Sequence, residues 1–195
     1  MIVPIAILFI VLVYFVVTRY QESQKVLSTF DNNYYIIRSN NNPQESANTL
    51  AEINQRVMKL IAHLRQKYNE NDRSYHFVRI LSERYNHQVL SEAAYDTRYT
   101  TYTIDKEEMH VCLRTRDHRQ QIYDTNLLMY VVLHELAHLC NFDLQGNPIE
   151  GHGMEFSIIF RLLVQEAINI GVYRYQDYSE RPVEYCGMTI HTSIV

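Results

Sequence analysis

An α+β fold is what the sequence predicts, and three observations carry it. Leu50, Ile53, Val57, Leu60, Ile61 and Leu64 recur at helical spacing. Residues 99–104 and 109–114 have the Thr- and Tyr-rich, then alternating, pattern of two strands joined by Asp105-Lys106-Glu107. Residues 127–141 are mostly apolar and long enough for a buried helix. At 195 residues, 47% hydrophobic and 21% charged, the chain has the material for one compact domain and a short accessory segment.

Residues 2–17 are apolar apart from one tyrosine hydroxyl, and with Met1 and Thr18 they reach spanning length. No Lys or Arg precedes the run, so the basic start of a cleaved signal peptide is missing. The expectation is a retained N-terminal transmembrane helix over 1–18, a linker over 19–30 and a domain over 31–195. Within that domain, Tyr34 to Arg38 reads as a strand ended by Ser39-Asn40-Asn41-Asn42-Pro43. A long amphipathic helix is expected over 46–67 and a weaker one over 75–90, followed by the hairpin of 99–113. Asp124-Thr125-Asn126 offers N-caps for the apolar helix. Turn formers from Asp143 to Gly153 lead to a last amphipathic helix over 154–170, which Gly171 closes. The tail, 173–195, has no regular pattern.

The chemistry lies in the apolar helix. His134-Glu135-Leu136-Ala137-His138 is H-E-x-x-H, and residues four apart share a helical face, so two imidazoles can meet one metal ion. Glu135 sits about 100° round the helix from His134, outside the ligand set but near a water on the metal, whose proton it can take. Two histidines and a carboxylate among Leu128, Val131, Val132, Leu133, Leu136 and Leu139 are costly to bury without a shared purpose. A catalytic zinc site needs a third protein ligand. His152, between Gly151 and Gly153, is the leading candidate; Asp143, Glu150, Glu155 and a folded-back His191 are its rivals. Glu155 reads more readily as an acid at a helix N-terminus.

These residues, H-E-L-A-H followed by Gly151-His152-Gly153-Met154-Glu155-Phe156, resemble the SprT-like and WLM group of zinc metallopeptidases. The terminal Tyr185-Cys186-Gly187-Met188 extends the resemblance to the WLM-like metallopeptidases of large DNA viruses. The resemblance implies a minigluzincin-like domain, a small sheet or hairpin packed on helices with the motif on a buried helix. It implies Zn2+ held by His134, His138 and His152, with Glu135 as the catalytic base and a protein or peptide as substrate. The strand from Met109 to Leu113 is expected to flank the cleft. A non-catalytic zinc module that recruits a partner is the main alternative, and a protease acting on proteins crosslinked to DNA is the second.

Composition weighs against the second alternative. A net charge of −4 offers no global attraction to phosphate, and the chain has neither a C-x-x-C nor a basic tail. Arg114, Arg116, His118 and Arg119 form a local basic cluster, more readily a solvated face than a phosphate site. Three cysteines cannot all pair, which argues against a disulfide scaffold and for a reducing compartment; Cys140 reads as a small buried hydrophobe. Arg19 and Lys25 follow the apolar run, so the domain is expected on the cytoplasmic or virion-interior side of a membrane crossed once.

Overall fold

The computed structural model describes residues 23–39, 42–94 and 100–195. Strands β1 (Ser23–Leu27), β2 (Tyr34–Arg38), β3 (Leu90–Glu92), β4 (Tyr102–Ile104) and β5 (Glu108–Val111) form one sheet in the order β1-β2-β3-β5-β4. The inner pairs β2/β3 and β3/β5 are parallel, whereas β1/β2 and β4/β5 are antiparallel. Period-two patterning sets the faces: Tyr35 and Ile37 are buried while Tyr34 and Ile36 are exposed. Helix α1 (Pro43–Lys67) lays its apolar stripe, Leu50 through Leu64, beneath the sheet. Helices α2 (Tyr75–Arg84), α3 (Thr125–Cys140) and α4 (Met154–Asn169) complete the helical layer, with α3 packed between α2 and α4 and touching β4. The α+β class therefore stands.

The membrane part of the expectation does not. Among the described residues no helix is long and apolar enough to cross a membrane. The longest, α1, is amphipathic and carries Arg56, Lys59, Arg65 and Lys67. Helix α3 is apolar but has 16 residues, short of the roughly 20 that hydrocarbon requires, and its apolar sides are taken up by neighbouring elements. This corrects both the N-terminal transmembrane helix and the single-pass membrane localisation; the run over 1–18 on which they rested lies outside the described residues.

Three local differences have simple causes. The helix expected over 75–90 ends at Arg84 because the following residues are needed elsewhere. Asn86 accepts from Gln88 N to start a short 3₁₀ turn, His87–Val89, and the next backbone groups become β3. Strand β1 is polar and lies at the sheet edge, so it shows no hydrophobic alternation. The tail folds into a small hairpin, β6 (Val183–Tyr185) and β7 (Met188–Ile190), turning through Cys186 and Gly187 at φ of 49° and 83°. Cys112 and Cys186 form a disulfide with Cα atoms 6.5 Å apart. Three cysteines thus supply one crosslink, not a scaffold, and leave Cys140 free and fully buried.

Candidate metal centre

Helix α3 presents the motif. The Asp124 carboxylate accepts from Asn126 N at 2.9 Å and Leu127 N at 3.4 Å, satisfying two amides of its first turn. Two turns on, His134 and His138 stand side by side with ring centroids 5.0 Å apart. At its C-terminus the chain reverses through a compact hairpin. Ile149 N donates to Asn141 O at 3.0 Å, Phe142 bridges Pro148, and the Asp143 carboxylate accepts from the amides of Gln145 and Asn147. Gly151, at φ +76°, then makes a turn that a residue with a Cβ would resist. His152 follows and points back at the motif.

The result is convergence. His152 Nε2 lies 3.0 Å from His134 Nε2 and 3.1 Å from His138 Nε2, and one ligand atom from each of the three lies within 4.8 Å of the others. Tetrahedral zinc, with Zn–N bonds of about 2.0–2.1 Å, spaces its nitrogen ligands by about 3.3 Å. His152 Nε2 offers either one N–H or one lone pair, so hydrogen bonding cannot satisfy both contacts, whereas a cation accepts a lone pair from each of the three rings. The donor set therefore fits a divalent metal. Burial, then the neighbouring rings, holds His134 down at about 3; burial, His152 and Lys106 hold His138 at about 4. Both rings are neutral at pH 7, the form that ligates. Phe156 packs against all three rings at 4.4–4.8 Å.

Glu135 is 6% exposed, and Thr103 Oγ1 donates to its Oε2 at 2.7 Å. Burial pushes its carboxyl up to about 7, and the Thr103 bond pulls the other way. Thr103 belongs to β4, which is the edge of the sheet; β5 is enclosed between β3 and β4. The strand flanking the cleft is therefore β4, not the Met109–Leu113 strand. The cleft, about 950 Å³, is lined by Thr100 through Thr103, by the motif face of α3 and by tail residues from Met188 to Ile194.

The other candidates separate. Asp143 is half-buried and committed to its own turn, and Glu155 is exposed at the start of α4. Glu150 lines the cleft with a side chain 80% exposed, and His191 lines it from the tail, which does fold back. Arg114 leaves the basic cluster: it is 8% exposed and donates to Gln120 O, Asn42 O and the Glu45 carboxylate. Of the tail tyrosines, Tyr173 and Tyr178 are buried around Tyr130, and Tyr185 reaches the cleft wall, its hydroxyl donating to Cys112 O at 2.8 Å. Thr103 and Lys106 touch the site and carry no sequence signal, since a Thr in a strand and a Lys in a turn ordinarily face water.

No protein-family profile matches the chain, and no solved structure does. Among curated proteins it is 34% identical over 175 residues to the uncharacterized protein R325 of Acanthamoeba polyphaga mimivirus, covering 89% of this chain and 85% of that one. It is 45% identical over 74 residues to the uncharacterized protein 042R of Invertebrate iridescent virus 3, covering 37% of this chain and 42% of the relative. Against the uncharacterized protein 136R of Invertebrate iridescent virus 6 the identity is 31% over 98 residues, with 50% and 52% covered.

Proposed function

We propose that this chain, which belongs to one protein family with R325 of Acanthamoeba polyphaga mimivirus, is a zinc-dependent peptidase. One observation carries the reading: three histidine Nε2 atoms meet at 3.0 and 3.1 Å beside the buried carboxylate of Glu135, at the floor of an open cleft. His134, His138 and His152 would hold the metal. Zinc bound there would act as a Lewis acid toward a scissile carbonyl and lower the pKa of water near it toward neutrality.

The chain's own residues supply the rest. Thr103 fixes Glu135 by Oε2, so Oε1 is the oxygen that takes a proton from the attacking water and passes it to the departing amine. In the metal-free protein burial raises that carboxyl toward neutrality, the direction that suits a group which must both take and give a proton. An extended substrate backbone can pair with the outer edge of β4, which orients the peptide across the motif. The resemblance to SprT-like and WLM metallopeptidases points to the same reaction class.

Metal analysis and peptide cleavage test the reading together. The wild-type protein is expected to carry one zinc and to cleave members of a peptide library. Glu135→Gln should keep the zinc and lose cleavage by about 10²-fold or more, the scale of a lost acid–base group. His152→Ala should lose the metal. A wild type that binds no zinc sinks the proposal. One that binds zinc but cleaves nothing beyond the Glu135→Gln background is a non-catalytic zinc module instead.

A further inference from the structure

The turn between β4 and β5 is strained in an informative way. Asp105 and Lys106 have φ of 49° and 55°, and Glu107 N closes the turn on Ile104 O at 2.9 Å. Hairpin turns with both central residues left-handed ordinarily place Gly second, because in that conformation a Cβ crowds the following carbonyl oxygen. Strain of this kind persists where the side chain has another task.

The task is visible at the other end of Lys106. Its side chain is 7% exposed, and Nζ donates to His138 O at 2.9 Å and to Ile149 O at 3.0 Å. The first carbonyl belongs to a candidate metal ligand in the last turn of α3, where terminal carbonyls favour a cation. The second lies three residues before His152. The neighbouring carboxylate, Glu150, is 3.9 Å away and largely in solvent. Two carbonyls therefore hold the ammonium by hydrogen bonds, and Glu150 is only a longer, solvent-facing counter-charge.

We infer that Lys106 is a positioning residue for the metal centre: by bridging His138 O and Ile149 O it fixes His138 against His152 and thereby sets metal affinity. The inference rests on the zinc reading above. It also ties the ligand set to the hairpin that forms the cleft edge. A bare positive charge near a divalent ion would have the opposite effect, because its removal would tighten zinc binding.

Zinc affinity, measured on the full chain by competition with a chromophoric chelator, distinguishes the two. Lys106→Gly suits the backbone at φ 55°, so the variant is expected to fold, as circular dichroism and melting of the metal-free protein would show. Its zinc affinity should fall 10- to 100-fold, the range for lost ligand support. Lys106→Arg, whose guanidinium can reach two carbonyls, should recover affinity to within about fivefold of wild type, on the same scale of support. Glu150→Gln should leave it unchanged. An affinity in Lys106→Gly equal to or above wild type overturns the inference and leaves the zinc reading standing. A loss in Glu150→Gln as large as in Lys106→Gly also overturns it. A wild type without zinc affinity removes both.

Discussion

Thr103 joins the cleft edge to the proposed base through the 2.7 Å bond from Oγ1 to Glu135 Oε2. Hydrogen bonds to a charged group are worth about 1.5–3 kcal/mol, and this one joins a half-buried hydroxyl to a buried carboxyl. Thr103→Val keeps the shape and the strand propensity while removing the donor. It should leave zinc content unchanged and lower kcat/KM by roughly 10- to 100-fold, the same energy expressed as a rate; steady-state kinetics on any cleaved peptide checks it. An unaltered rate would show that the carboxylate is oriented without the strand. The motif histidines and Glu135 could be read from the sequence because their geometry is local, fixed by a spacing of four on a helix. His152 could be read because two glycines single out its setting. Thr103 and Lys106 could not, since each reaches the site only after the hairpin docks on α3.

At the scale of elements, α1 and α4 are locked by a buried carboxylate. Glu166 on α4 accepts from Lys67 Nζ at 2.7 Å and Tyr68 Oη at 3.2 Å, and meets His63 Nε2 at 2.6 Å. Burial alone would raise its pKa, but the bonds from Lys67 and His63 outweigh it and hold the carboxyl below its usual value. A carboxyl whose folded-state pKa is depressed contributes stability above its unfolded pKa, near 4.3, and loses it as pH falls through the folded value. Glu166→Gln should therefore lower the melting temperature of the metal-free protein by about 5 °C at pH 7, for about 2 kcal/mol lost. The gap should close toward pH 3. A gap that persists in acid would mean that packing, not charge, holds the two helices. The elements that sequence patterning reveals are those with a buried face, such as α1, α3 and β2. Strand β1 and the β6/β7 hairpin escape because they are short and largely exposed, so no buried face imposes an alternation on their residues.

Across the whole molecule, the Cys112–Cys186 bridge closes a loop of 74 residues that holds α3, α4 and both parts of the proposed metal site. It fastens the tail to the end of β5, so residues from Met188 to Ile194 can serve as a wall of the cleft. Tyr185 adds to the fastening by donating to Cys112 O, and Cys112 N donates to Thr101 Oγ1 on the approach to β4. The odd cysteine count obscured this, because it excludes a fully paired set and says nothing against a single bridge beside a buried thiol. Thiol titration of the denatured, unreduced protein should find one free cysteine, Cys140, and three only after reduction. Loop-closure entropy for a crosslink of this span is about 4 kcal/mol. Replacing Cys112 and Cys186 together by Ser should lower the urea unfolding free energy by about that amount. Hydrogen exchange should quicken first in the tail and β4, while the proposed ligands His134, His138 and His152, borne by α3 and its following loop, should retain the zinc affinity of the wild type. Three titratable thiols without reduction, or tail exchange unaffected by the double substitution, would show that the cleft wall stands without the bridge.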